Sequence, residues 1–294
     1  MKVTFLQHTQ PRPRRVAVGT FDGVHLGHRE VIRGNDTVLT FEPHPLAVVA
    51  PDHLPKLISS YPVKRDLIAG LGVEELVVIP FDKEFSQKPA EQFIQEVLVE
   101  KLQATHVSVG ENFTFGKRAQ GTPAMLAERP EFETRVVPLV EVRGETVSSS
   151  HIRGLVAAGE VKEAAEFLGG PFLFQGEVVH GDKRGRQLGF PTANLVPGSE
   201  LAVPGHGVYA AWAHGHPAAV NVGVRPTFVT GRGLLIEAYL LDFDADLYGQ
   251  ELRVAFVERL RGEKRFESVD ELVRQMERDV QQAREICSAT VFRR

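Results

Sequence analysis

The chain has 294 residues, of which 43% are hydrophobic and 24% are charged, and its formal net charge is −4. This length accommodates two domains with sizeable cores, and the composition is that of an ordinary globular protein. A net acidic chain gives no support for a broad nucleic-acid-binding surface. The single cysteine, Cys287, excludes an intramolecular disulfide and a cysteine-based zinc site.

The N-terminal segment lacks the apolar core of a signal peptide, and no run of residues approaches the length of a membrane span. We therefore expect no membrane partner, and the cytoplasm is the default expectation for the location of the chain.

Apolar runs alternate with helical patterns through the first half of the chain. Four short apolar runs are typical of buried strands: residues 16–18, 38–41, 76–79 and 106–109. Apolar side chains recur at helical spacing in two stretches between them: residues 62–71 and 90–102. This alternation predicts a parallel α/β sheet covered on both faces. Ligands of such sheets bind beyond the carboxyl ends of the strands, so residues 19–28 and 109–116, which follow strands, are expected to face one crevice.

The pattern changes after residues 169–171. Short strand-like runs separated by Gly, Pro and Asp turns follow, which favours a small antiparallel β-barrel or sandwich. Residues 268–286 place apolar side chains on one face of a helix, and Ser268 with Glu271 resembles a capping box. We therefore predict two domains, residues 1–168 and 171–294.

The glycine-rich turn (residues 19–28, GTFDGVHLGH) joins the first strand to a helical turn. Its glycine spacing is neither that of the dinucleotide-binding fingerprint nor that of a P-loop. A strand, a turn and a helix start are nevertheless typical of sites where phosphates accept from backbone N–H groups. His25 and His28 lie three apart and project from one face of the helix start. They either make structural hydrogen bonds or donate to a phosphate that gains negative charge.

The segment GFPTAN places Thr192 and Asn194 on one side of an extended chain. Their oxygens suit Mg²⁺ with nucleotide phosphates, and the alternative is that both residues only form the turn. The residues upstream provide flexible backbone and positive charge near a polyphosphate, or only a solvated surface: Gly181, Lys183, Arg184, Gly185 and Arg186.

Four other polar residues lie at positions that are typical of catalytic or ligand-binding groups. Glu237 interrupts an apolar strand pattern, so its carboxylate is either paired structurally or acts as a general base. Asn112 follows a strand and either binds phosphate or forms an Asx turn. Ser149 and Arg153 lie four apart at a helix start and face one way, and arginine is suited to a bidentate grip on phosphate.

Four segments of the first half resemble, in order, the adenylyltransferase module of prokaryotic bifunctional riboflavin kinase/FAD synthetases, which belongs to the nucleotidyltransferase superfamily: HLGH (25–28), TFEPHP (40–45), VGENFTFG (109–116) and SSSHIR (148–153). Three segments of the second half resemble the flavokinase module of the same family: residues 181–195, 221–228 and 236–249. The resemblance covers nearly the whole chain.

The resemblance implies an α/β nucleotidyltransferase domain with a Rossmann-like parallel sheet, followed by a small antiparallel β-barrel domain with a terminal helix. It implies phosphorylation of riboflavin to FMN and adenylylation of FMN to FAD, with ATP as co-substrate and Mg²⁺ as cofactor. Glu237 is implied as the base that takes the riboflavin 5′-hydroxyl proton. His25 and His28 are implied as the groups that stabilise charge on the α-phosphate of ATP.

The remaining site residues follow from the same resemblance. The ATP and phosphate contacts are Gly19, Phe21, Asp22, Gly27, Ser149, Arg153, Gly181, Lys183, Gly185 and Arg186. Asp22 orders the turn or helps to position metal. The flavin or phosphate contacts are His44, Asn112 and Pro191, and the Mg²⁺ ligands are Thr192 and Asn194.

The chain departs from the family in one connection. The family usually has a fuller helix before TFEPHP, whereas only residues 22–36 separate Phe21 from Thr37 here, so the helix must be short. Ser150 and His151 also replace the more usual threonine and a variable or basic residue.

Two alternative functions stay open: a chain in which only the kinase is active, and a nucleic-acid-binding relative of the aminoacyl-tRNA synthetases. We expect small-molecule partners and no nucleic acid. The oligomeric state is open, a transient homo-oligomer included.

Overall fold

The first half of the chain forms a six-stranded parallel sheet, as its alternating pattern predicts. The computed structural model describes residues 1–181, 188–227 and 231–290. The strands are β1 Lys2–Phe5, β2 Arg14–Val18, β3 Thr37–Glu42, β4 Glu75–Pro80, β5 Ala104–Gly110 and β6 Glu133–Val137. Their order is β1-β4-β3-β2-β5-β6, and every pairing is parallel.

Helices cover both faces of this sheet, because alternate residues of each strand point to opposite sides. Val16, Leu39 and Val77 pack on one face, and Ala17 and Val38 pack on the other. The helices are α1 Leu26–Ile32, α2 Pro45–Val49, α3 Tyr61–Ala69, α4 Ala90–Phe93 with its continuation as a π-helix over Ile94–Lys101, and α5 Pro123–Ala127.

The structure tests two helix predictions for this half of the chain. The connection after the glycine-rich turn holds a short helix, as predicted, since α1 has seven residues. The helical stretch at 90–102 is present, but most of it is a π-helix rather than an α-helix. A two-stranded hairpin then follows the sheet, with β7 Glu141–Val142 and β8 Glu145–Thr146.

The second half forms a closed antiparallel barrel, which decides between the barrel and the sandwich. The strands are β9 Phe172–Val179, β10 Ala193–Leu195, β11 Gly207–Ala213, β12 His216–Thr227, β13 Gly231–Leu240 and β14 Glu251–Arg261. They close in the order β10-β13-β12-β11-β14-β9.

The terminal helix α8 (Val269–Ala289) packs on the barrel. Its predicted cap is present in part: the Ser268 hydroxyl accepts from the Glu271 N–H at 3.2 Å. The Glu271 carboxylate, however, accepts from the N–H of Glu267 at 3.2 Å rather than from that of Ser268. Buried Asp279 fastens the helix to β14 through Arg261, with a shortest N–O distance of 2.8 Å.

The chain folds as two compact units, residues 1–55 with 61–149 and residues 56–60 with 150–294. Most of helix α6 (Ser149–Ala158) and all of α7 (Val161–Leu168) therefore belong with the barrel. Gly159, between these helices, has φ +85°, and a Cβ there would lie 2.7 Å from the Tyr209 hydroxyl. The division into catalytic domains at 168–171 stays a prediction.

Within the residues that the structure describes, no helix is both long and apolar enough to cross a membrane.

Candidate active sites

The glycine-rich turn lies at the carboxyl end of β2 and is shaped by a buried ring. Phe21 is 1% exposed and adopts φ 53°. A Cβ at position 19 would lie only 3.0 Å from Cζ of Phe21. A side chain at position 19 would therefore press against the buried Phe21 ring, and these two residues set the course of the backbone. Their predicted contact with ATP stays a prediction.

The two histidines of the turn form one stacked pair. Their ring centroids are 3.5 Å apart with an interplanar angle of 16°. His25 is the N-cap of α1, and its Nδ1 accepts from the His28 N–H at 3.3 Å. A neutral imidazole that accepts at Nδ1 carries its proton on Nε2. A Cβ at Gly27 would lie 3.3 Å from the His25 ring, so the glycine leaves room for the stack.

The surroundings of His28 favour its neutral form. Burial lowers the pKa of His28 well below its usual range, and positive charge on His25 and Lys64 lowers this pKa further. The Nδ1 atom of His28 is buried and has no hydrogen-bond partner among the described residues. At neutral pH the ring is therefore an uncharged group with one N–H donor.

We expect acid to destabilise the first unit through His28. The unfolded chain takes up this proton near pH 6.5, whereas folded His28 takes it up only at lower pH. The unfolded state therefore binds more protons between the two pKa values. The stability that neutral His28 contributes is present above about pH 6.5 and is lost as the pH falls through the folded pKa.

Amide hydrogen exchange of first-unit peptides, corrected for intrinsic rates, measures this effect at pH 7.5 and 5.5. His28→Gln should lose less protection on acidification than the wild type, because it has no proton to take up. His53→Gln, at an exposed position of the same unit, should behave as the wild type. Equal losses in the wild type and in His28→Gln would contradict the assignment.

Two more predicted residues meet at this turn. Asp22 is 6% exposed, and its backbone carbonyl accepts from the Ser149 hydroxyl at 3.2 Å. The Ser149 hydroxyl thus contacts the glycine-rich turn, and its role as an ATP ligand stays a prediction. No group of three or more His, Cys, Asp or Glu side chains among the described residues has the arrangement of a metal site.

Two further loops leave the same edge of the sheet. The proline-flanked loop (residues 40–45) begins within the last residues of β3, and the asparagine loop (residues 109–116) begins at the end of β5. Both strands neighbour β2. His44 is the N-cap of α2, with Nδ1 accepting from the Leu46 N–H at 3.2 Å. Asn112 is exposed. The expected single crevice is therefore consistent with the strand order, and the flavin contacts of both residues stay predictions.

A ladder of phenylalanine rings lies beside these loops, and the sequence analysis missed it. Successive ring centroids are 5.4–6.3 Å apart. The rings come from segments far apart in the chain, so only the high phenylalanine content could have hinted at them. In order along the ladder they are Phe41, Phe81, Phe85, Phe93, Phe115 and Phe113.

Arg153 lies on α6, one helical turn after Ser149, but it belongs to the second unit. There its Nε donates to the Lys56 carbonyl at 3.0 Å. Its role as an ATP ligand stays a prediction.

In the barrel, three strands place polar side chains in one row. The register pairs Glu237 of β13 with Asn194 of β10 on one side and with Asn221 of β12 on the other. The Nδ2 atom of Asn221 donates to Glu237 Oε2 at 3.3 Å. Glu237 is half-buried and sits on a strand between buried residues, as predicted. Asn221 could not be singled out from the sequence, because cross-strand register is not visible in a local pattern.

A hydrogen bond fixes the orientation of the Asn194 side-chain amide. It is 6% exposed, and its Nδ2 donates to the Thr192 carbonyl at 3.3 Å, which leaves Oδ1 as an acceptor. A Cβ at Gly181 would lie 2.5 Å from Asn194 Nδ2, so the glycine is a cradle for this side chain. Pro191 is exposed beside it. Lys183, Arg184, Gly185 and Arg186 lie outside the described residues.

Two aromatic rings are in contact beside this region. The rings of His180, directly after β9, and Tyr248, before β14, are in tilted contact, with centroids 4.0 Å apart and an interplanar angle of 35°. Asp246 accepts from the Tyr248 N–H at 2.9 Å. Asp242 pairs with Arg284 of α8, with a shortest N–O distance of 2.6 Å.

Comparison with known proteins links each unit to one activity. Residues 7–151 match the FAD synthetase family, and residues 168–287 match the riboflavin kinase family. A Listeria monocytogenes protein named bifunctional riboflavin kinase/FMN adenylyltransferase is 36% identical over 286 residues, covering 92% of this chain and 91% of that protein. A Bacillus subtilis protein of the same name is 37% identical over 288 residues, covering 91% of this chain and 90% of that protein.

A solved structure from Streptococcus pneumoniae shares the fold, with a TM-score of 0.85 and 31% identity. The match covers 97% of this chain and 99% of the other. Its title calls it a macrolide-efflux protein, and that description applies to the other protein alone.

Proposed function

Because the chain belongs to the family of bifunctional riboflavin kinase/FMN adenylyltransferases, we propose that the residue sets described above carry its two reactions. The chain is an enzyme that phosphorylates riboflavin to FMN with ATP and adenylylates FMN to FAD with a second ATP, releasing pyrophosphate. The observation that carries the assignment is the row of Asn194, Glu237 and Asn221 across three barrel strands.

In the kinase reaction, Glu237 is the general base. The riboflavin 5′-hydroxyl oxygen attacks the γ-phosphorus of ATP, its proton passes to the Glu237 carboxylate, and ADP leaves. The hydrogen bond from Asn221 fixes one carboxylate oxygen, and the other can face the hydroxyl. Gly181 and Pro191 border this site, and Lys183, Gly185 and Arg186 are proposed to bind the phosphates.

Thr192 and Asn194 are the proposed ligands of Mg²⁺. The donor set fits the ion, because hydroxyl and amide oxygens are hard ligands and the Gly181 cradle leaves the Asn194 Oδ1 available. When bound, Mg²⁺ neutralises charge on the nucleotide phosphates.

We expect Thr192→Ala and Asn194→Ala to raise the Mg²⁺ concentration needed for FMN formation and to leave FMN-to-FAD conversion unchanged. Each variant removes one proposed oxygen ligand from the kinase alone. Mg²⁺ titrations of both half-reactions measure the effect. Ser199 is exposed and lies in the same unit outside the proposed ligand set, so Ser199→Ala serves as the control. Unchanged Mg²⁺ titrations in both test variants would refute the assignment.

In the adenylyltransferase reaction, an oxygen of the FMN phosphate attacks the α-phosphorus of ATP, and pyrophosphate leaves. His25 and His28 donate hydrogen bonds to the α-phosphate oxygens as their charge grows. Asp22 orders the turn, and Ser149 and Arg153 bind the ATP phosphates. His44 and Asn112 contact the flavin or its phosphate. Neither reaction needs a covalent intermediate with the protein, because positioning and charge stabilisation suffice.

One assay separates this proposal from the alternatives. Purified protein is incubated with riboflavin, ATP and Mg²⁺, and FMN is separated from FAD. Formation of both products supports the proposal, and FMN without FAD supports a chain in which only the kinase is active. The absence of both products supports a nucleic-acid-binding protein. The oligomeric state and the cytoplasmic location stay predictions.

A further inference from the structure

A buried lysine lies under the loops of the proposed adenylyltransferase site. Lys64 of α3 is 7% exposed. Its Nζ lies 3.4 Å from the Phe41 carbonyl, 3.5 Å from the Thr20 carbonyl and 3.4 Å from Glu42 Oε2. Its sequence position gives no sign of a special role, because it is an ordinary residue of an amphipathic helix.

The contacts of Lys64 join two loops of the site. Thr20 belongs to the glycine-rich turn after β2, and Phe41 and Glu42 end β3 where the proline-flanked loop continues. A lysine ammonium has three donors, and these three acceptors match them. The Lys64 ammonium thus faces carbonyls of two site loops and one carboxylate, and it acts through the loops that it connects.

Another buried cation of the unit shows a different arrangement. Arg14 lies 2.9 Å from the buried carboxylate of Glu75, with both residues at the amino ends of their strands. That pair is short and lies at the sheet edge opposite to the proposed site, so it has a structural role. Lys64 instead lies at the carboxyl edge, and two of its three partners are backbone carbonyls of site loops.

The charge of Lys64 also affects titratable groups of the site. Burial lowers the pKa of Lys64, while the charges of Glu42 and Asp22 raise it. The positive charge of Lys64 in turn contributes to the lowered pKa of His28. The titratable groups that face Lys64 are thus Glu42, Asp22 and His28, with the Tyr61 ring 5.8 Å from Nζ.

We propose that Lys64 is a positioning residue for adenylyl transfer, which holds the glycine-rich turn and the proline-flanked loop at a fixed spacing beneath the nucleotide phosphates. This proposal rests on the proposed function of the first unit. From the same position its charge adds to the burial that favours the neutral, hydrogen-bond-donating form of His28.

The test compares Lys64→Met, Lys64→Gln and Lys64→Arg with Lys83→Met, a control at an exposed position of the same unit. Lys64→Met should lower kcat for FAD formation about 10–10²-fold, since small displacements of catalytic groups cost this much. KM for ATP should change less than kcat, and FMN formation should be unchanged. Lys64→Arg keeps the charge and should recover part of the lost rate.

A second measurement does not depend on turnover. The His28 ring is titrated by NMR in protein with ¹³C-labelled histidine, and its signal is assigned with His28→Gln. Loss of the positive charge in Lys64→Met or Lys64→Gln should raise the His28 pKa, whereas Lys64→Arg should leave it near the wild-type value. If Lys64→Met does not fold, Lys64→Gln provides the same comparison.

Two results would overturn the proposal: FAD formation by Lys64→Met within twofold of the wild type, or a His28 titration that is the same in all Lys64 variants. A wild-type protein that forms no FAD would instead refute the proposed adenylyl transfer. The titration would still report on Lys64 in that case, so the two failures are distinguishable.

Discussion

Replacing Glu237 with glutamine lowers FMN formation about 10²–10⁴-fold, the usual cost of losing a general base, and leaves conversion of FMN to FAD unaffected. The amide keeps the shape of the side chain and can still contact Asn221, whose Nδ2 lies 3.3 Å from Glu237 Oε2. It cannot accept the 5′-hydroxyl proton of riboflavin. The two half-reactions are measured separately, with riboflavin or with FMN as the starting flavin.

Glu177→Gln is the matched control for this variant. Glu177 is an exposed carboxylate on another strand of the same barrel, so its loss tests whether any charge change in the barrel affects the kinase. Kinase activity of Glu237→Gln within twofold of the wild type would remove Glu237 from the mechanism. A parallel fall in FAD formation from FMN would indicate a folding defect instead.

Replacing His28 with alanine should lower FAD formation from FMN about 10²–10³-fold, because a donor aimed at the developing charge of the α-phosphate is lost. ATP affinity should change little, since the hydrogen bond strengthens only in the transition state. His25→Ala should behave similarly or more mildly. FMN formation by the barrel should be normal in both variants, and steady-state rates with ATP-binding measurements test all three statements.

The stacking of the two rings makes the control important. His25 and His28 pack with centroids 3.5 Å apart, so alanine at either position also removes packing. His28→Gln retains a donor and should recover part of the rate lost in His28→Ala. His53→Ala, at an exposed site of the same unit, should have wild-type activity. Wild-type FAD synthesis by His28→Ala would defeat the proposal, and a large loss of kinase activity would point to a folding role.

Much of the fold could be predicted because its signals are local. The continuous apolar runs at residues 16–18 and 76–79 are a property of a few neighbouring residues, and both runs lie within parallel strands. The short connection at residues 22–36 likewise required a short helix. The edge strands β1 and β6 were missed, because an edge strand has only one neighbour and its pattern of buried residues is weak.

The motif residues of the candidate sites were also visible in the sequence, but their partners were not. His25 and His28 are close in the chain, and a helix start alone places them on one face. Asn221 meets Glu237 only through the register of β12 and β13, and Lys64 meets Thr20 and Phe41 only through the packing of α3 on the sheet.

The sequence by itself therefore determined the central strands of the sheet, which residues could bind or react with a substrate, and to which family the motifs point. The tertiary structure alone decided which distant polar groups become neighbours. It also grouped α6 and α7 with the barrel, where Gly159 packs against Tyr209. The physical reason is that side-chain periodicity is set within a few residues, whereas a hydrogen bond between distant segments depends on the packing and register of the whole unit.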